Sequence, residues 1–276
     1  MEKGQATMKM DTFQKWMVGI FVLLIYVPSF LWMWDRWFAR DSYYSHGILI
    51  PFVTAFLIWQ KRDILRSIKP ETSVWGLRLF FLGIAIHLFS ALFRVYFSSG
   101  FSMIIVLYGL ILHFYGFKVF KEVFFPISFL AFMIPLPMVV ITNLSFRLKI
   151  FATQIAVGAL NEMRLNCVQH GSTIVLRHAY VVVEDACSGL RSLITLMALG
   201  SLFAYGMKTS FLKRITVFLS TIPIAVITNV ARIIFLAFVS EIWGTQRAMG
   251  PIHEISGFIV FLGAFCLLYV VQKMVE

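Results

Sequence analysis

The chain has 276 residues, 60% of them hydrophobic and 13% charged, with a net charge of +11. An average soluble domain is about 45–50% apolar and about 25% charged, so the composition excludes a disordered chain, a secreted disulfide scaffold and an ordinary cytosolic enzyme. Three cysteines, an odd number, leave at least one thiol free.

A helix crossing the bilayer needs about 20 mostly apolar residues. Runs of this kind stand at about 16–34, 43–60, 75–97, 101–117, 123–141, 187–206, 215–240 and 254–272. The first ends in Trp32, Trp34 and Trp37, an interfacial aromatic belt rather than a small-residue cleavage site, and so reads as a span and not a signal peptide. Residues 142–186 depart from the pattern. Within them, 143–165 reads as an amphipathic helix for the outer interface, with Leu144, Leu148, Phe151, Ile155 and Ala159 on one side and Arg147, Gln154 and Asn161 on another. The β-branched stretch 172–183, broken at Arg177-His178, reads as a short hairpin. Open sheet edges do not occur in hydrocarbon, so it sits outside the bilayer or against protein. The expected fold is a single all-α polytopic membrane domain over 1–276. It has about eight transmembrane helices, with an extracytoplasmic amphipathic helix and short β-hairpin, 142–186, between spans five and six.

Positive charge sets the direction. With the N-terminus inside, the cytoplasmic pieces carry Lys3, Lys9, Lys15, Lys61, Arg62, Arg66, Lys69, Lys118, Lys121, Lys208, Lys213, Arg214 and Lys273, against Arg36, Arg40 and Arg247 on the short external loops. Both termini then face the cytoplasm, and the protein resides in the plasma (inner) membrane. The basic balance follows from topology and anionic lipid, and nucleic acid is not an expected partner.

Charge inside a span costs about 2.5–3.5 kcal/mol and asks for a reason. Arg78 and Arg94 lie near span ends and can snorkel. His87, in mid-span, reads as a hydrogen-bonded packing histidine, and His113 lies near a cytoplasmic end. Arg191 and Arg232 are harder to place. Arg191 follows Cys187 by four residues, one turn along the same face if the helix starts at Cys187. Arg232 lies about 26 Å along the seventh span at 1.5 Å per residue. Cys187, Arg232 and His253 therefore fall at one depth on the extracytoplasmic side.

That juxtaposition suits nucleophilic catalysis by a thiol. A helix opened by Ser188-Gly189-Leu190 and a nearby arginine lower a thiol pKa, while Glu184 and Asp185 raise it unless they cap or pair; Asp185 is a plausible N-cap. His253 can take the thiol proton, and Arg232 can stabilise a tetrahedral oxyanion. His170 and His178 lie on the same side as alternative bases. A lone cysteine in a span is ordinarily a packing residue, the reading given to Cys266, while Cys167 could be free or paired. No metal or cofactor is expected.

The stretch Glu184-Asp185-Ala186-Cys187-Ser188-Gly189-Leu190-Arg191-Ser192, followed by ALGSLFAY at 198–205, resembles the exosortase/archaeosortase family of membrane cysteine transpeptidases. Asn229-Val230-Ala231-Arg232 is similar to its arginine motif, and His253-Glu254-Ile255-Ser256-Gly257 to its histidine motif. Asp41-Ser42-Tyr43-Tyr44-Ser45-His46-Gly47, FMIPLP at 132–137 and GSTIVL at 171–176 also fit, so that the resemblance runs over about residues 41–265. It implies Cys187 as nucleophile, Arg232 as transition-state stabiliser and His253 as acid and base. Arg191, Glu184, Asp185, Ser188, Asn229, Tyr44 and His46 would be supporting or substrate-binding residues. It further implies exported proteins with a C-terminal sorting signal (short motif, membrane helix, basic tail) as substrates. Cleavage would pass through a thioacyl intermediate, with transfer to water, an amine, or an envelope lipid or glycan. The competing reading is a non-enzymatic transporter or envelope assembly factor whose outer-leaflet arginines bind an anion.

Overall fold

The structure is a computed structural model that describes residues 2–40 and 42–276; Asp41 of the early motif lies outside them, as do the side chains of residues 2–12, Lys3 and Lys9 included, and those of Ala186, Met249 and Pro251. The fold is almost wholly helical, with one small sheet. Contacts resolve two compact units, Met1–Arg40 with Ser45–Pro135, and Asp41–Tyr44 with Leu136–Glu276.

In the first unit, helices α1 (Glu2–Ile25) and α2 (Val27–Trp37) meet at Tyr26, and the pair Phe13–Ile25 and Val27–Trp37 is bent by 54°. Pro28 stands in the first turn of α2, where its missing N–H is one of the donors a helix leaves unpaired anyway. A 3-10 turn at Ser45–Ile48 runs into α3 (Leu49–Gln60), and α4 (Arg62–Ser67) follows. Helices α5 (Val74–Leu92) and α6 (Tyr96–Phe129) are joined by a turn in which Arg94 takes a positive φ of 56°. They pack almost backbone to backbone. A Cβ added at Gly76 would lie 2.2 Å from the His113 nitrogen, and one at Gly109 would lie 2.4 Å from the Phe80 nitrogen. Small residues at helix crossings are how apolar helices associate where burial of apolar surface supplies little drive. Polar side chains join α1, α2, α5 and α6. Tyr26 bonds Ser102 at 2.7 Å, Ser99 bonds both Ser29 at 2.5 Å and His87 Nδ1 at 2.9 Å, and the Tyr26 and His87 rings lie 4.2 Å apart. His87 is thus a buried, hydrogen-bonded packing histidine.

The predicted fourth and fifth spans, 101–117 and 123–141, are one helical stretch broken at Gly116 (φ 81°, ψ −177°). Tyr108 shows that the chain folds back there. Its hydroxyl donates to the Phe124 carbonyl at 3.1 Å and also meets Ser128, although 16 residues of straight helix span about 24 Å. After a 3-10 turn at Leu130–Met133 the helical path ends, so 134–137 are not helical and the fifth run stops short of 141. Among the described residues, four helices are long and apolar enough to cross a membrane: Val74–Leu92, Tyr96–Met133, Phe211–Trp243 and Ile252–Val275. The bent pair makes a fifth, and Ser45–Gln60 and Leu190–Gly206 are apolar but shorter.

In the second unit, α7 (Met138–Glu162) covers the predicted amphipathic helix and starts earlier. The face it buries carries Ile141, Ser145, Ala152, Thr153, Ala156 and Leu160, while Leu144, Phe151 and Ile155 of the predicted apolar side are exposed. The predicted hairpin is a three-stranded antiparallel sheet, β1 (Val168–His170), β2 (Thr173–Val175) and β3 (Tyr180–Val182), with Ile174 paired to both Gln169 and Val181. Ile174 and Val181 point into the core. The edge at β3 is covered: Ser240 and Thr245 both donate to the Tyr180 carbonyl, at 3.2 and 2.9 Å. Helices α8 (Leu190–Gly206), α9 (Phe211–Trp243), α10 (Thr245–Met249) and α11 (Pro251–Val275) complete the unit. Both α8 and α11 pack on α9.

The fold-back at Gly116 uses a conformation that only glycine adopts freely, and a Cβ there would lie 2.3 Å from the Glu71 carbonyl oxygen. Gly116→Ala should therefore lose at least about 1–3 kcal/mol of stability. Gly263→Ala, in α11 with nothing within 4 Å, should gain about 1 kcal/mol. Thermal unfolding of the two variants in one detergent checks the opposite signs.

Candidate active site

The core of the second unit explains where Cys187 comes to rest. Ala152, Ala156 and Leu160 of α7, Ile174 and Val181 of the sheet, and Val230, Ile233, Leu236 and Ala237 of α9 form one apolar cluster that includes Cys167 and Cys187. After strand β3 the chain passes through buried Val183, then Glu184, into a 3-10 turn, Asp185–Cys187. The Cys187 N–H donates to the Glu184 carbonyl at 2.9 Å and the Ser188 N–H to that of Asp185 at 3.1 Å. Gly189 then turns the chain with a left-handed φ of 80°, and α8 begins. The Leu190 N–H donates to Ser188 Oγ at 3.3 Å. Asn229, buried on α9, donates to the Cys187 carbonyl at 2.8 Å. A Cβ at Gly189 would lie 3.0 Å from the Asn229 side chain, so glycine serves both the turn and the close approach.

His253, in the first turn of α11, faces the thiol: Cys187 Sγ lies 3.4 Å from Nε2 and 3.7 Å from Nδ1. Arg232 reaches the same turn from α9. Its Nε donates to Ser256 Oγ at 3.2 Å and its Nη2 to the His253 carbonyl at 2.8 Å, and Ser256 Oγ donates to that carbonyl at 2.8 Å. The arginine is only 9% exposed and the cysteine 3%. Residues from three separate parts of the sequence thus assemble a thiol, an imidazole in hydrogen-bond reach of it, and a guanidinium bonded to the backbone that carries the imidazole.

The other predicted residues are placed as follows. Ser188 and Asn229 hold the cysteine turn, as just described. Glu184 supports it through its backbone and has an exposed side chain. Asp185 does not cap α8, whose N-cap is Gly189; its carboxylate instead pairs with Lys149 of α7 at 2.7 Å. Arg191 does not share a helical face with Cys187, because the left-handed Gly189 stands between the 3-10 turn and the helix. Its Nε is buried with no hydrogen-bond partner among the described residues. Tyr44 belongs to this unit and is buried, with a hydrogen bond to the Leu136 backbone, whereas His46 belongs to the first unit and bonds the Phe132 backbone. His253, rather than His170 or His178, is the histidine hydrogen-bonded to the Cys187 thiol among the described residues. All three cysteines are free, Cys167 buried and Cys266 exposed. Lys149 and Ser256 were invisible to spacing: each meets its partner only through the fold. No group of three metal-binding side chains occurs among the described residues.

Burial pushes the Cys187 thiol above its ordinary pKa; the Arg232 charge opposes this and the Glu184 charge adds to it. A raised pKa favours the neutral thiol, which would need a base to take its proton before it could act as a nucleophile. The sign is testable by alkylation with iodoacetamide and mass spectrometry of the Cys187 peptide. The pH midpoint should lie above that of an ordinary thiol, near 8.5. Glu184→Gln, which removes a negative charge, should lower it, whereas a midpoint unmoved or raised by that substitution contradicts the electrostatics.

With this geometry established, comparison with protein families gives a match over most of the chain. The model of the transmembrane exosortase family covers residues 34–270, and so takes in the cysteine turn, Arg232 and His253. No curated protein matches the chain, and no solved structure does. The matched range covers most of the sequence and every element of the candidate site, and the chain belongs to the transmembrane exosortase family.

Proposed function

We propose that the protein is a membrane cysteine protease and transpeptidase. It cleaves the C-terminal sorting signal of exported proteins and transfers them, through a thioacyl intermediate on Cys187, to an acceptor at the cell envelope. The observation that carries the reading is the Cys187–His253 contact at 3.4 Å, with Arg232 bonded to the turn that bears His253. Family membership supports it, since exosortases are transmembrane cysteine peptidases.

In this reading both termini face the cytoplasm, eight helical runs cross the plasma membrane, and the site opens on the extracytoplasmic face. The reading counts as crossings the two legs that meet at Gly116, the bent α1–α2 pair and the two shorter helices along with the other three long ones. His253 takes the Cys187 proton as the sulfur attacks the scissile carbonyl carbon. The C–S bond forms, the carbonyl electrons move to oxygen, and free guanidinium N–H groups of Arg232 stabilise that oxyanion. The tetrahedral intermediate collapses, the C–N bond breaks, and His253 returns its proton to the leaving amine. An acceptor nucleophile then gives its proton to His253 and attacks the thioester, and the released thiolate takes the proton back. A transporter or assembly factor would use Arg232 as an anion site but would leave the thiol–imidazole contact idle.

Cys187→Ala should insert normally and leave a membrane-tethered substrate from the same genome unprocessed, while normal processing by that variant would refute the reading. Arg232→Lys keeps the charge but loses the fork of donors, and should lower the rate about 10²–10³-fold. Mass spectrometry of the product's new C-terminus separates transfer from hydrolysis.

A further inference from the structure

The first turn of α11 does more than carry His253. His253, Ser256 and Gly257 stand at positions i, i+3 and i+4, on one helical face. Arg232 lies against that face. Its Nε and Nη2 are bonded to Ser256 Oγ and to the His253 carbonyl. Gly257 supplies the room: a Cβ there would lie 3.2 Å from Nη2, 3.3 Å from Cζ and 3.6 Å from Nη1. Ser256 Oγ spends its own proton on the His253 carbonyl, which leaves its lone pairs for Nε. A guanidinium has five N–H donors. With Nε and one Nη2 hydrogen committed, the Nη1 pair and the second Nη2 hydrogen are left for a reacting group.

We propose that Ser256 and Gly257 form a socket that positions Arg232: Ser256 fixes the rotation of the guanidinium through Nε, and Gly257 keeps open the space it fills. The inference rests on the thioacyl reading, in which Arg232 faces the oxyanion. Without the Ser256 hydroxyl the guanidinium keeps a single tether, the Nη2 bond, and can turn about it. With a methyl group at position 257 it must retreat by a few tenths of an ångström. Either change misaims donors that act only when the oxyanion forms, so the penalty falls on the chemical step and not on substrate binding.

The test uses the full chain in detergent or liposomes with a membrane-tethered substrate, and compares Ser256→Ala, Ser256→Thr and Gly257→Ala with the parent. Gly257→Ala is the diagnostic variant, because alanine is the better helix former and the protein should unfold at no lower temperature. Its kcat should nonetheless fall about tenfold while KM stays within about twofold. Ser256→Ala should behave likewise, and Ser256→Thr, which keeps the hydroxyl, should recover most of the rate. The socket is overturned if Gly257→Ala keeps the parent kcat, if KM rises in place of a fall in kcat, or if Ser256→Thr is as impaired as Ser256→Ala. Cys187→Ala, run alongside, reports on the thioacyl reading separately. Should that variant process substrate normally, the thioacyl reading falls and the socket is judged by Cys187 alkylation alone. A displaced guanidinium then raises the pH midpoint in Gly257→Ala, and an unchanged midpoint overturns the socket as well.

Discussion

A guanidinium removed from water needs hydrogen-bond acceptors, or it destabilises whatever surrounds it. Arg232, 9% exposed within a 33-residue apolar helix, finds two of them on another helix, at Ser256 and the His253 carbonyl. The bond fixes the start of α11 against α9. It thereby sets where His253 stands, because the carbonyl that accepts from Arg232 belongs to the residue whose ring faces the thiol. Asn229, one turn earlier on α9, holds the Cys187 carbonyl in the same way. A single helix therefore indexes both the Cys187 thiol and the His253 imidazole, and the candidate site is accurate to the extent that α9 is rigid. Its burial within the unit supplies that rigidity.

The polar segment around the site obeys the same rule at the level of the backbone. A sheet of three short strands exposes edge groups that hydrocarbon cannot satisfy. Here the Tyr180 carbonyl on the edge strand is met by two hydroxyls, from α9 and α10, while Ile174 and Val181 seal the inner face. The sheet delivers the chain to Glu184 with no slack, and Lys149 of α7 pins the next residue, Asp185. The cysteine turn is thus fixed from three directions: the sheet, α7 and α9.

Much of this was legible in the sequence, and the failures share a cause. The apolar runs, and the expectation that Cys187, Arg232 and His253 meet, come from length and alternation of direction, which need no knowledge of packing, and the structure brings the three residues together. The large apolar residues of α7 marked it as amphipathic but did not show which residues it packs inward. Where the surroundings are themselves apolar, Phe151 and Ile155 have little to gain by burial, and it is Ala152, Ala156 and Ser145 that allow close approach. The periodicity joining Arg191 to Cys187 assumed a helix that Gly189 interrupts, and one left-handed residue is enough to rotate the later side chain off the site. Strand β1, three residues with a polar centre, carries too little pattern to be read. Ser256 and Lys149 could not be found by spacing at all, since a serine in a helix and a lysine on an amphipathic face have ordinary explanations.

The electrostatics of the site reconcile two features that look opposed. Burial favours the neutral thiol, yet the surroundings favour negative charge: α8 begins three residues after Cys187, and the first turn of α11 carries the His253 that faces the thiol, so positive N-terminal ends lie near the sulfur. An enzyme gains nothing by stabilising a charge that is already present before reaction, because that lowers ground and transition states alike. A thiol held neutral by burial, next to dipoles and a guanidinium fixed in advance, reverses the balance. In the proposed reaction the stabilisation is realised only once the proton has moved to His253 and negative charge has passed through sulfur to the carbonyl oxygen. Glu184, exposed at the rim and able to raise the thiol pKa, then works in the same direction as the apolar core. In the proposed reaction it would keep the sulfur protonated until a substrate carbonyl is there to receive the charge.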